Sequence, residues 1–389
     1  MDLRAHLVSL VRPVELGDEI APGVVFMGAS TELGLRLSFV VSEQTEVHVE
    51  VSPVELGMRH AAKSDRLAFA YRSGGAERVD PLLGERVCRA VAAAVASNEH
   101  AVLAELAHEV ERSREQGRIR EVRVERILEL AGVPGQRFYT LSPYVGCLIG
   151  CRFCYAQSRL DPMRTLLRLP QVPWGSYVDV RINAAEVLAH ELRTLPRHPI
   201  KFCPIVSDPY QAVERRYALT RACLEAIGGV EDPPPAMVMT RSDAILRDLD
   251  LIREIEGAWV GASIPTLDDE VRAHFEPRAA SIPERLAMLR AFGDAGVRRC
   301  VVVQPMLPGP VDALAEALAE VVDSVSIGVL RGEQGAAGDF ADPRYAHCTS
   351  ESWQREQALA LRDGLMARGV TVWLGELPPE LERWSPASE

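Results

Sequence analysis

From residue 138 onward the chain alternates, six times over, between a short β-rich run and a helical stretch. The runs are RFYTLSPYV, IKFCPIV, AMVMT, AWVGASI, RCVVVQPM and SVSIGVL, and the helical patterns fall near 184–195, 211–228, 243–256, 281–295, 311–322 and 353–368. Strands alternating with helices specify βαβ units on a parallel sheet. Right-handed crossovers curl such units, so the expected architecture is α/β: an incomplete (β/α)6 TIM-type barrel. TVWLG at 371–375 reads as one more strand on an edge, whereas the tail ELPPELERWSPASE is too irregular to place.

The first third of the chain has a different texture, that of an added α+β domain. VVFMG and LRLSFVVSEQTEVHVEV are β-rich and are split by the turn-prone Thr31, Glu32 and Gly34. DRLAFAYRSG and a Gly-Gly turn at 74–75 follow, then helices expected over 84–97, 99–116 and, shorter, 121–132. Gly and Pro punctuate GVPGQ at 132–136 as a linker, which sets the expected division at 1–132 and 133–389.

At 389 residues, two domains or a barrel with an added module are expected. No apolar run reaches the roughly 20 residues that span a bilayer. The opening MDLRAHLVSLVRPVELGDEI interrupts any apolar core with charge and proline, so a cytoplasmic protein is expected. The net charge is −12. Proteins that live on duplex phosphates show the opposite balance, because Lys and Arg drive binding by releasing counterions. A small molecule, nucleotide or peptide therefore suits this chain better than long nucleic acid.

Three of the eight cysteines are crowded into Cys147-Leu148-Ile149-Gly150-Cys151-Arg152-Phe153-Cys154, and the other five are scattered singly. A long, cytoplasmic-looking chain does not build a disulfide framework this way. The C-x3-C-x2-C loop follows the first strand, where barrels of this kind place reactive groups. Thiolates are the usual ligands of iron–sulfur clusters, and three on one loop hold three irons of a cubane and leave the fourth open to a chelating ligand. Gly146 and Gly150 let the backbone wrap closely. Zinc is the rival, but no nearby Cys or His completes a second ligand pair, with His108 and His190 far along the chain.

This spacing, with an aromatic before the third cysteine, resembles the signature of the radical S-adenosylmethionine (SAM) superfamily. Residues 138–310 resemble its spore photoproduct lyase-like branch through SPYVGCLIGCRFCYA, WGSYVDVRINAAEVLAHEL, SDPYQAVERRYALTRACLEAI, MTRSDAILRDLDLI, ASIPTLDDEVRAHFEPRAASIPERL and VVQPMLPG. Residues 1–130 carry no such likeness. The resemblance implies a [4Fe-4S] cluster on Cys147, Cys151 and Cys154, with SAM chelating the open iron. SAM is then split reductively, and a 5′-deoxyadenosyl radical takes hydrogen from a substrate, the protein supplying orientation and exclusion of side reactions.

Further roles follow from the same resemblance. Phe153 would lie against the adenine, with simple packing under the loop as the alternative. Ser207 and Asp208 would meet the SAM amino group, although both residue types also cap helices. Arg241, where relatives often carry Lys, would hold the carboxylate through two parallel bonds, and Ser242 and Asp243 would cap the next helix. Ser263 would bond the ribose. Glu276, Pro277 and Arg278 match an acidic-Pro-Arg segment, and Gln304, Pro308 and Gly309 would shape the pocket. Cys203 lies on the second strand, where the namesake enzyme keeps a hydrogen-donating cysteine; buried, inert cysteine is the commoner case. Cys88, Cys223, Cys300 and Cys348 are read as packing residues, so one cluster is expected.

Three functions stay open at this point. The N-terminal module binds a small molecule or peptide while the barrel abstracts hydrogen, with a flavodoxin- or ferredoxin-type reductant as partner. Alternatively, the chain repairs a DNA lesion, or it is a non-catalytic iron–sulfur or zinc scaffold. Charge argues against the second, and the segments beyond the cysteines argue against the third.

Overall fold

The computed structural model describes residues 3–384 apart from 32–33, 42–44, 75–77, 114–117, 134, 171, 203–205, 331 and 333. It divides into two compact units: residues 1–125, 132–135 and 158–172 in one, and 126–131, 136–157 and 173–389 in the other.

The first unit is built on an antiparallel sheet in the order β1-β2-β3-β4-β6-β5. Its strands are β1 (Glu19–Ala21), β2 (Val24–Ser30), β3 (Arg36–Val41), β4 (Thr45–Pro53), β5 (Ala62–Lys63) and β6 (Leu67–Ser73). Along β3, Leu37, Phe39 and Val41 are buried while Arg36, Ser38 and Val40 are less so, the period of two expected of a sheet with one covered face. Helix Pro81–Val95 buries Val87, Cys88, Val91 and Val95. It starts where Asp80 accepts the Leu83 amide (3.1 Å) and Pro81 supplies a preset φ. Helix Glu99–Ser113 follows.

The expected helix over 121–132 does not form. Those residues contribute to two strands, β7 (Ile119–Val122) and β8 (Leu128–Ala131). Glu, Leu and Ala favour a helix locally, but pairing overrides that preference. β8 runs antiparallel to β9 (Phe138–Leu141), with Leu128 opposite Leu141 and Ala131 opposite Phe138. The buried Glu191 carboxylate also accepts the Ile127 and Leu128 amides at 3.0 and 2.8 Å.

The second unit is the incomplete α/β barrel. After β9 come the short β10 (Tyr144–Val145) and β11 (Val178–Arg181), which pair with each other. The parallel sheet continues through β12 (Ile200–Phe202), β13 (Ala236–Thr240), β14 (Trp259–Ser263), β15 (Arg298–Val303), β16 (Ser324–Ile327) and β17 (Thr371–Trp373). The order β9-β12-β13-β14-β15-β16-β17 follows the chain, as successive right-handed crossovers dictate. The TVWLG edge strand is thus present.

The sheet is curled. Phe138 on the first parallel strand and Trp373 on the last share one apolar cluster with Met237, Met239, Trp259 and Cys300. The tail that resists placement from sequence joins this cluster through Leu377 and Leu381. Lys201 on β12 reaches the same tail, donating to the Glu376 carbonyl (2.7 Å) and carboxylate (2.8 Å).

Candidate functional site

Four parallel strands end in polar residues at the edge where the barrel presents its loops. β12 leads into Ser207 and Asp208, β13 into Arg241, β14 ends at Ser263, and β15 leads into Gln304. The cysteine loop follows β9 and β10 at that same edge.

The loop is held from behind by backbone and side-chain bonds. Gly146 has φ +87°, and a Cβ there would lie 2.7 Å from the Tyr177 carbonyl oxygen. Its carbonyl accepts from Ser207 Oγ (2.9 Å) and Gln211 Nε2 (3.0 Å), while Gln211 Oε1 accepts the Leu148 amide (2.7 Å). Gly150 has φ +68°; a Cβ there would sit 2.4 Å from Arg278 Nη2 and 3.0 Å from Gly175 Cα. Arg278 donates to the Gly175 carbonyl (2.7 Å) and so fills the space beside the loop. The Cys151 carbonyl accepts Trp174 Nε1 (3.1 Å), and the Arg152 amide donates to the Phe275 carbonyl (2.9 Å).

The three thiols are close enough to perturb one another. Burial pushes Cys147 up to about 12, helped by the Asp208 carboxylate and Cys154. Cys151 is driven well above its ordinary value by burial, against the pull of Arg241, with Glu276 and the other two thiols adding to the rise. Cys154 is likewise raised by burial. Burial thus keeps the three thiols protonated when no metal is bound, and taking them as thiolate ligands requires the positive charge of bound metal and releases protons. The donor set also bears on which metal. Ligands about 2.3 Å from one tetrahedral zinc would bring sulfurs to within about 4 Å of each other. The three sulfur atoms do not all lie within 4.8 Å of one another. A cluster spreads them wider, because each thiolate takes a different iron.

Beside the loop runs a buried charged chain that ties neighbouring strand ends together. Asp208 accepts from Tyr210 N (2.9 Å) and Thr240 Oγ1 (2.6 Å) on Oδ1, and from Arg241 N (2.8 Å) on Oδ2. Burial raises its pKa, and those three donors oppose the rise. Arg241 donates Nε to Glu276 Oε1 (2.7 Å) and Nη2 to Ser263 Oγ (2.9 Å). Burial would weaken the Arg241 charge, but Cys151 and Glu276 hold it above its ordinary value. Arg285, wholly buried, closes the chain by donating to Glu276 Oε2 and to the Ser263 carbonyl, both at 2.5 Å. Burial alone would raise Glu276, yet Arg285 and Arg241 hold it below the usual carboxylate range.

Of the residues singled out by sequence, Ser207, Asp208, Arg241, Ser263, Glu276 and Arg278 thus converge on the cysteine loop or on one another. Phe153 is buried and faces Phe275, ring centroids 6.1 Å apart, in an apolar cluster that also holds Cys147, Cys151, Phe340 and Tyr345. Gln304 donates to the Val329 carbonyl (3.2 Å). Ser242 caps the 3-10 helix Asp243–Asp248 by accepting the Ala244 amide (3.3 Å). Cys203 lies outside the described residues. Among the described residues Cys88, Cys223, Cys300 and Cys348 are buried and free of disulfides. Gln211, Arg285 and Trp174 are not legible as site residues from sequence. Gln211 and Arg285 read as ordinary helix positions, and the pair Gly150–Gly175 that frames Trp174 meets only in three dimensions. Asp339 is similarly unforeseen: it pairs with Arg152 of the loop and with His274 Nε2 (2.9 Å).

Comparison with known proteins gives one family. Residues 141–322 match the model described as the Radical SAM superfamily. An uncharacterized protein of Mycobacterium tuberculosis is 31% identical over 199 residues, covering 49% of this chain and 57% of that protein. One of Methanocaldococcus jannaschii is 26% identical over 183 residues, covering 46% and 64%. The chain therefore spans less than two thirds of the length of these curated relatives. Among solved structures, spore photoproduct lyase aligns with a TM-score of 0.46 and 18% identity, over 61% of this chain and 76% of that one. No helix among the described residues is long and apolar enough to cross a membrane.

Proposed function

We propose that Cys147, Cys151 and Cys154 carry the [4Fe-4S] cluster and that the strand ends beside them hold SAM, since residues 141–322 match the Radical SAM superfamily model. Members of this superfamily are enzymes that use both groups. When bound, the pair supplies a 5′-deoxyadenosyl radical after one-electron reduction by a flavodoxin- or ferredoxin-type protein. What this chain contributes is orientation, charge and exclusion of water.

The observation that carries the reading is the part-buried Arg241 beside Cys151, set between Glu276 and Ser263. Of its five N–H groups two are committed to those partners, which leaves three for a carboxylate. Asp208 accepts three bonds on two oxygens, and Oδ2 takes only one of them. A further lone pair there can receive an ammonium, with Ser207 alongside. An amino acid end thus finds its anion and its cation matched about the same loop. Ser263 is left to bond a ribose, Phe153 and Gln304 to bound the pocket, and Arg278 to brace the loop from behind.

The substrate in this reading is a small molecule or peptide from which hydrogen is abstracted, in a biosynthetic or modifying reaction. An acidic chain favours that over a polyanion. The test is anaerobic reconstitution with iron and sulfide, then reduction with SAM present. Cluster absorbance and 5′-deoxyadenosine should both appear, and both should be lost together in Cys147→Ala, Cys151→Ala or Cys154→Ala. Full SAM cleavage by any one of these variants would sink the assignment. Deuterium transfer into 5′-deoxyadenosine from labelled candidates then identifies the substrate.

A further inference from the structure

Within the first unit, three arginines converge on a single carboxylate. Arg36 and Glu50 sit directly opposite each other on β3 and β4. Arg72 extends from β6, where it stands opposite His48. Arg159 comes from helix Ala156–Leu166. All three point at one oxygen, Glu50 Oε1: Arg72 Nε at 2.5 Å, Arg36 Nη2 at 3.5 Å, and Arg159 Nη1 in a shorter contact.

Among the described residues, three positive charges face one negative here, an excess of two. The cluster is not simply solvated. The Arg36 side chain is 12% exposed and that of Glu50 18%, whereas Arg72 at 53% opens the group to solvent on one side. Burial pushes Arg36 down to about 10, and Arg159 and Arg72 add to that repulsion. Its Nε is buried with no hydrogen-bond partner. Leaving a buried guanidinium N–H unpaired is unfavourable. Glu46 shares the strand face but lies four residues along β4 from Glu50, about 13 Å at the strand rise, too far to neutralise Arg36. Nearer on the sheet are neutral or weakly basic groups: Ser30 opposite Arg36, and Ser38 bonded to His48 Nδ1 (3.0 Å).

We propose that Arg36, Arg72 and Arg159, arranged around Glu50 on the less buried face of this sheet, form a binding site for a doubly charged oxyanion, the phosphate monoester of a substrate or effector. The charge excess equals that of a phosphate monoester above its second pKa of about 6, and planar guanidinium forks match its oxygens. A single carboxylate neutralises only half the excess. Glu50 occupies one oxygen's worth of donors and keeps the arginines gathered while the site is empty. The proposal does not depend on the chemistry proposed for the cysteine loop.

Calorimetric titration of the full chain with inorganic phosphate at pH 8 and fixed low ionic strength tests this. One saturable site is expected, with acetate at least tenfold weaker. Arg72→Gln, at an exposed surface position, and Arg159→Gln should each weaken phosphate binding about tenfold, the worth of one charge-assisted contact. Cys147→Ala should leave it unchanged, which separates this result from the fate of the cluster assignment. Absence of saturable binding to the wild-type chain would overturn the proposal. So would equal affinity for acetate, or phosphate affinity untouched in both arginine variants.

Discussion

Replacing Glu276 by Gln keeps the shape of the side chain and removes its charge. The carboxylate is wholly buried and bonded to Arg241 at 2.7 Å and to Arg285 at 2.5 Å. Removing one member of a buried charged network leaves the others uncompensated, which costs about 3–5 kcal/mol. Gln retains one oxygen, enough for one guanidinium, while its amide N–H groups face the other. A loss of about 3 kcal/mol follows, measured as the drop in urea unfolding free energy followed by circular dichroism. Arg285→Met should lose a similar amount for the reciprocal reason. The double variant should lose about 2 kcal/mol less than the two single losses added together, because the second substitution removes a charge already orphaned. The pH dependence has a definite sign. Arg285 and Arg241 hold Glu276 below the usual carboxylate range in the folded state. Its stabilisation is therefore present above the unfolded pKa and is lost as pH falls through the folded one. The gap between wild type and Glu276→Gln should accordingly close on acidification. A loss under about 1 kcal/mol, strict additivity in the cycle, or a gap that widens toward low pH would refute the reasoning.

Two further outcomes can be checked directly. Gly150→Ala places a Cβ 2.4 Å from Arg278 Nη2 at φ +68°; backbone strain of about 1–2 kcal/mol and displacement of Arg278 should lower iron bound per chain after reconstitution. Wild-type iron content in that variant would show that the loop tolerates the side chain. Duplex DNA should bind weakly at physiological salt, since −12 net charge repels phosphate. Tight binding with a steep salt slope would return lesion repair to consideration.

Hydrophobic period and cysteine spacing are local properties, and each was readable along the chain. The six strand runs, most of their crossover helices and the edge strand β17 appear where β-branched and apolar residues cluster between helical patterns, while the stretch near 243–256 forms a 3-10 helix (Asp243–Asp248) and a single short α-helical turn (Leu249–Ile252). The polar groups that follow those runs, Ser207, Asp208, Arg241 and Ser263, are brought together because parallel strands all end at one edge. The resemblance, not the periodicity, singled these residues out.

What tertiary structure alone decided are the partnerships between distant residues. Residues 121–132 favour a helix by composition, but a vacant sheet edge along β9 and the Glu191 carboxylate gave their backbone better partners. Nothing in the alternating pattern marks 158–172 as part of the first unit, or Arg159 as a partner of Glu50 109 positions away. Arg285 looks like a solvated charge on a helix until Glu276 and the Ser263 carbonyl are found facing it in the interior. Periodicity reports which face of an element is buried. It carries no record of which buried charges meet, because a long polar side chain is neutralised by whichever partner the fold brings within about 3 Å.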